Sequence, residues 1–269
     1  MRRVARFGFL GLMLLFSLGP FWWMLVASLK SGDDQITTGN PWWTANPDWS
    51  SYHRLLTSGE FGHWMLNTVW VLLATVAISL VASALAAYAL ALLDVPYSRA
   101  IALVLFATYI LPQGVLFLPL VRMLTQLHLT NSTGALVVTY PGLVIPFGTW
   151  VLWSFFRALP REVVESAESE GAGPIRVLWS IVLPAAAPAI GAIALFAVAV
   201  VFNDFLYAFT FISDTASQTV IGGIATLSTD IDDTGFLFGA GILGTAPIAL
   251  LCALFADSYA RALGTGFIE

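Results

Sequence analysis

The sequence predicts an all-α membrane protein with six transmembrane helices, and three observations support this prediction. Of its 269 residues, 58% are hydrophobic and only 10% are charged, whereas soluble domains carry about 25% charged residues. Six apolar segments are long enough to cross a bilayer, which takes about 20 residues in a helix. The basic residues lie mostly in the connections between these segments and are shared unequally between the two sides.

The six predicted spans cover residues 7–28, 67–93, 100–121, 134–156, 181–212 and 237–260. The first follows the basic stretch MRRVAR, but its apolar run exceeds the roughly 7–15 residues of a signal-peptide core, and no A-x-A cleavage site follows it. We therefore interpret it as a retained helix. No internal repeat or long linker interrupts the sequence, so residues 1–269 are predicted to form a single membrane domain.

The distribution of lysine and arginine predicts the orientation, because cytoplasmic loops carry an excess of both. With the N-terminus inside, the outside receives only Lys30, Arg54 and Arg122. The cytoplasmic side then receives eight residues: Arg2, Arg3, Arg6, Arg99, Arg157, Arg161, Arg176 and Arg261. Both termini and the 157–180 loop are thus expected in the cytoplasm, and the 29–66 and 213–236 loops outside.

Several kinds of chemistry are not expected of this chain. Its one lysine, Lys30, follows Leu29 rather than a glycine, so the sequence has no phosphate-binding loop of the G-x-x-x-x-G-K-[ST] type. Hydrolase and zinc-protease signatures are missing, and the three histidines lack metal-ligand spacing. No basic stripe suggests nucleic-acid binding. We expect a protein that is not an enzyme and that binds no cofactor or metal of its own.

The densest cluster of charge lies in the 157–180 loop, around the stretch ESAESEGAGPIRVLWSIVLP (165–184). Pro160 suits the first position of a short helix, Gly171 can end it in the left-handed conformation, and Pro174 can open a second helix. The loop is either a solvated connector or a docking surface for a cytoplasmic protein. The small residues Ala167 and Ala172 favour docking, since they permit close approach.

This loop resembles the EAA loop of binding-protein-dependent ABC importer permeases. The matching residues are Glu165-Ser166-Ala167, Gly171-Ala172 and Ile181-Val182-Leu183-Pro184, with Ser166 for the usual alanine and Glu170 for the usual aspartate. Three further stretches resemble the smaller, six-span permease of the carbohydrate, maltose-type class. They are NTVWVLLATVAISLVASALAAYALA (67–91), FNDFLYAFTFISD (202–214) and RALGTGFIE (261–269); the last lacks the family's lysine.

The resemblance implies the inner-membrane permease of an importer for a sugar or sugar-like solute. It also implies a second permease, two ATPase subunits that bind ATP and Mg, an external solute-binding protein, and surrounding lipid. By the same match, the ATPase-coupling residues are Glu165, Ser166, Ala167, Gly171, Ala172, Leu183 and Pro184. In relatives the loop corresponding to 213–236 enters the binding protein; its composition here equally fits an ordinary exposed loop.

The solute pathway is predicted around Asp204, because a charge within a membrane span is costly and usually faces a cavity or a partner. The candidate residues are Asn203, Asp204, Tyr207, Tyr109 and Gln113, with Tyr140 beside them. Asp204 fits equally well an interhelical hydrogen bond that fixes packing. Alternative functions are a permease for amino acids or glycerophosphate-type solutes, an ATP-independent carrier, and a membrane scaffold.

Overall fold

A computed structural model describes residues 2–30, 42–93, 95–110, 113–227 and 234–264, and every regular element in these ranges is helical. The helices are α1 (Arg2–Ser28), α2 (Ser50–Thr57), α3 (Glu60–Leu92), α4 (Ser98–Tyr109), α5 (Gln113–Gln126), α6 (Thr133–Arg157), α7 (Arg161–Ser169), α8 (Pro174–Ala185), α9 (Ala187–Asn203), α10 (Leu206–Phe211), α11 (Val220–Leu227) and α12 (Thr234–Gly264). A short 3-10 turn, Thr215–Ser217, connects α10 to α11.

Each predicted span overlaps one or more helices, and the all-α prediction is confirmed over the described ranges. Three helical stretches, Arg6–Ser28, Glu60–Leu92 and Thr133–Arg157, are each long and apolar enough to cross a membrane. The sixth predicted span lies within α12. The third is divided between α4 and α5, on either side of residues 111–112.

The fifth predicted span, 181–212, is broken twice rather than continuous. α8 and α9 meet at Ala186 with a bend of 81°. Pro184 and Pro188 flank that residue, and proline removes a helical N–H donor, which favours a bend there. α9 then ends at Asn203, where Asp204 turns to an extended backbone conformation, and α10 begins at Leu206.

The tightest packing in the fold is the seam between α3 and α6, the pair of described helices that contact each other most extensively. Small residues make this possible, because they let helix backbones approach closely in membranes. A Cβ atom added to Gly148 of α6 would lie 2.6 Å from the Ser83 Oγ of α3 and 3.3 Å from the Ile193 Cγ2 of α9. Gly148 therefore marks the point where three helices converge.

A continuous apolar core extends from this seam into the charged loop. Val144 and Leu152 of α6 and Ile193 of α9 belong to the same buried cluster as Val164 of α7 and Val177 of α8. The two loop residues are almost completely buried, at 7% and 0% exposure. The loop is thus packed onto the membrane helices rather than suspended from them.

At the opposite end of α3, polar side chains fix the segment that follows α10. The Trp64 indole N–H donates to the Thr215 carbonyl at 2.8 Å. The Asn67 amide donates to the carbonyls of Ala216 (2.8 Å) and Gln218 (2.9 Å). These bonds hold the beginning of the 213–236 loop against α3, while residues 228–233 of that loop lie outside the described ranges.

We predict that Gly148→Val lowers the free energy of unfolding by about 1–3 kcal/mol, because the added methyl groups overpack the seam. Gly142→Val is the matched control, since it lies on the same helix and a Cβ there would have nothing within 4 Å. The measurement is the thermal unfolding of the detergent-solubilised protein. Equal losses at both positions would contradict the assignment of the seam as a close-packed contact.

Candidate functional site

The charged loop contains a helix that is closed by a left-handed glycine, as the sequence predicts. The short helix α7 starts one residue later than expected, because Pro160 occupies the position before its first turn. Gly171 has a φ of +85°, its N–H donates to the Glu168 carbonyl at 2.9 Å, and the Ala172 N–H donates to the Ala167 carbonyl at 3.0 Å. This pair of bonds is the Schellman motif.

Gly171 is required for its conformation and not for space. A Cβ atom there would meet nothing within 4 Å, but non-glycine residues adopt a φ of +85° only at a cost. Pro174 then opens α8 at its first position, as predicted. The chain reversal at Gly171 therefore sets how α7 lies relative to α8.

The seven residues predicted for this site divide into two sets. The exposed set is Glu165, Ser166, Gly171 and Pro184. The set that packs toward the apolar core is Ala167, Ala172 and Leu183. One side of the loop is thus available to a partner, while the other side is fixed to the membrane helices.

Large apolar side chains accompany the exposed set, and the sequence analysis did not assign them to this site. Ile175 is 72% exposed, Trp179 52% and Val163 46%. The sequence could have indicated them, because bulky apolar residues are unusual within a segment that is rich in charged residues. Exposed apolar groups rimmed by charged ones are the usual composition of a protein-binding surface.

A second site is a cavity of 410 Å³ between the helices, a volume within the range of small-molecule sites. Its lining residues come from α4, α5, α6, α9 and the break after α9: Thr108, Tyr109, Leu116, Gly142, Leu143, Pro146, Phe196, Ala199, Val200, Asn203 and Asp204. Three of the predicted pathway residues therefore line the same cavity: Tyr109 of α4, Asn203 of α9, and Asp204.

The other predicted pathway residues lie elsewhere or cannot be assigned. Tyr207 and Tyr140 are fully buried, at 0% exposure each, and do not line the cavity. The side chain of Gln113 lies outside the described part of the structure. Among the described residues, no group of three or more His, Cys, Asp or Glu side chains is arranged to hold a metal ion.

Asp204 occupies the break between α9 and α10 and is only 5% exposed. Its Oδ2 accepts hydrogen bonds from the Tyr140 hydroxyl at 2.8 Å and from the Ala208 N–H at 3.1 Å. Its Oδ1 accepts from the Tyr207 N–H at 3.4 Å. The carboxylate therefore caps the start of α10 and links it to α6, while it also reaches the cavity wall.

Aromatic rings form much of the remaining wall. The Tyr109 ring contacts the Phe196 ring edge-on at a centroid distance of 5.6 Å, and Phe196 contacts Phe147 at 4.2 Å. The polar lining residue Asn203 is fixed by the backbone of its own helix, because its amide N–H donates to the Ala199 carbonyl at 2.9 Å. A flat apolar surface beside a few polar atoms suits a ligand with both kinds of face.

Comparison with known proteins gives a consistent picture. The profile of the family described as "Binding-protein-dependent transport system inner membrane component" matches residues 79–266. The diacetylchitobiose uptake system permease protein NgcG of Streptomyces coelicolor is 30% identical, over 92% of this chain and 82% of that protein. The trehalose/maltose transport system permease protein MalG of Thermococcus litoralis is 28% identical, over 96% and 94%.

The fold is shared with a solved transporter. A chain of a bacterial ABC transporter that imports the acidic polysaccharide alginate superimposes with a TM-score of 0.82 at 17% sequence identity, covering 94% of this chain and 95% of that one. At this identity the match identifies the fold and does not transfer a substrate. The overall helical fold is thus one that a bacterial ABC transporter adopts.

We predict that Tyr140→Phe lowers the free energy of unfolding by about 1–3 kcal/mol, because Asp204 loses a donor in a buried site. Tyr109→Phe is the matched control, since the exposed Tyr109 makes ring contacts that phenylalanine retains. Thermal unfolding of both solubilised variants is the measurement. The assignment is contradicted if Tyr140→Phe is no less stable than Tyr109→Phe.

Proposed function

Because the chain belongs to the binding-protein-dependent transport system inner membrane component family, we propose that it moves a sugar or sugar-like solute into the cytoplasm as one permease of an ATP-driven importer. It is a membrane-embedded transport subunit rather than an enzyme. The observation that carries the proposal is the packing of the helix–glycine–helix loop onto the same core as the spans that line the cavity.

The proposed partners follow from what the chain lacks and from its family. An external binding protein is part of the family's description. The sequence contains no phosphate loop, which favours an energy supply from other chains. We assign that role to two ATPase subunits, which bind ATP and Mg, and we assign the other half of the membrane pathway to a second permease.

Coupling is proposed to occur through the 157–180 loop. Its exposed side, with Glu165, Ser166 and Gly171, would contact an ATPase subunit. Its buried side, with Val164 and Ala167, is packed against the membrane helices. Since a close-packed interior transmits displacement rather than absorbing it, a movement of the loop would tilt those helices. This placement assumes that the loop and both chain termini face the cytoplasm, as the distribution of basic residues predicts.

The solute is proposed to pass through the 410 Å³ cavity. The relatives NgcG and MalG are named for the uptake of diacetylchitobiose and of trehalose and maltose, which supports a sugar. Tyr109 and Phe196 offer ring surfaces for the apolar faces of a sugar, and Asn203 and Asp204 offer polar atoms for its hydroxyl groups.

The binding protein is proposed to dock at the opposite end of α3. There the 213–219 segment is held by Trp64 and Asn67, and by Asn131, whose Oδ1 accepts the N–H groups of Ser213 and Asp214 at 2.8 Å each. A segment fixed in this way is a preformed surface, which lowers the entropic cost of docking.

We predict that Gly171→Asp abolishes ATP-driven uptake while leaving membrane insertion intact, because it adds a charge to the face that meets the ATPase. Gly171→Asn is the matched control, since asparagine has nearly the same shape and tolerates the left-handed conformation as well. Uptake and co-purification of the ATPase are both measured. Normal assembly and uptake in Gly171→Asp would contradict docking at this face.

A further inference from the structure

The charge that the described lining residues contribute to the cavity is negative. Asp204 is the only charged residue among the described residues that line it. The helices that line the cavity carry three arginines, Arg99, Arg122 and Arg157, and none of them is a lining residue. This chain therefore contributes a carboxylate to the cavity and no positive charge to balance it.

The hydrogen bonds of the wall leave acceptor atoms available beside Asp204. Each described contact of Asp204 is with a donor, which is how an ionised carboxylate behaves. The Asn203 N–H donates to the Ala199 carbonyl, and the Thr108 hydroxyl donates to the Leu105 carbonyl at 2.6 Å. The Thr108 hydroxyl thus retains lone pairs for a ligand, while the Asn203 amide retains its oxygen and its second N–H.

The aromatic part of the wall strengthens this preference. The rings of Tyr109 and Phe196 line the cavity, and the ring of Phe147, which is not a lining residue, contacts both at centroid distances of 4.2–6.1 Å. The faces of aromatic rings carry partial negative charge and attract cations and polarised C–H or N–H groups. Such a surface repels an anion at the same time as it accepts an uncharged sugar ring.

Resting on the proposed function, we infer that this cavity selects solutes that are uncharged or cationic, such as neutral or amino sugars, and excludes acidic sugars. A carboxylate or sulfonate on the solute would meet Asp204 where few water molecules screen the repulsion. The inference separates this chain from the structural relative that imports the acidic polysaccharide alginate, although the two share a fold.

The first test measures the charge preference of the cavity directly. Because Cys252 is the single cysteine of this chain, Cys252→Ser gives a cysteine-free background for it, and labelling is measured on this chain after separation from its partners. In the importer purified with its partners, Thr108→Cys places a thiol on the cavity wall. We expect a cationic methanethiosulfonate to modify it about tenfold faster than an anionic one of similar size, relative to free cysteine. Equal or faster reaction with the anionic reagent would overturn the inference.

The matched control for this labelling is Ser58→Cys, an exposed position between Arg54 and Glu60 in the sequence. It should react with the two reagents in the ratio found for free cysteine. If Ser58→Cys shows the same cationic preference as Thr108→Cys, the preference belongs to the membrane surface, and the inference is overturned.

The second test compares uptake of maltotriose and of trigalacturonate by the importer in vesicles with its binding protein. We expect uptake of the neutral sugar to exceed that of the acidic one by at least about tenfold. Comparable uptake of both would overturn the inference and leave the proposed function standing. Uptake of neither would count against the proposed sugar function, while the labelling ratio at Thr108→Cys would still decide the charge selectivity of the cavity.

Discussion

A single apolar core that joins the charged loop to the membrane helices is the constraint on which the rest of the structure depends. Val164 and Val177 are loop residues by position, yet they are buried with Leu152 and Ile193 of the long helices. Side chains packed at interior density move together or not at all. The left-handed turn at Gly171 makes this packing possible, because it directs Ala172 back toward the core.

The two breaks in the fifth predicted span lie at the two candidate sites, one at the charged loop and one at the cavity. The bend at Ala186 joins the loop to α9, and the break at Asp204 opens the wall of the cavity. The 17 residues of α9 between them form a helix about 25 Å long, at about 1.5 Å per residue. A tilt of α9 imposed at the loop would therefore reposition Asn203 at the cavity, which is the movement that an alternating pathway requires.

Local signals predicted much of the fold and the loop, and they failed where distant residues decide the structure. The order of helix, glycine and second helix could be predicted, since Gly171 and Pro174 act through their own backbone preferences. The breaks in the fifth span could not, because a uniformly apolar sequence has no periodicity that would mark an interruption; only Pro184 and Pro188 indicated one. The contact between Tyr140 and Asp204 joins residues 64 positions apart, which no local pattern encodes.

We propose that force from ATP hydrolysis on other chains reaches the cavity through the 157–180 loop. The most direct measurement is the stimulation of ATP hydrolysis by loaded binding protein in vesicles that contain the purified complex. We expect the complex to contain a second permease and two ATPase subunits. We also expect the stimulation of ATP hydrolysis to be lost when the exposed side of the loop is altered, while all subunits remain bound. A homo-oligomer of this chain that transports solute without ATP would contradict it.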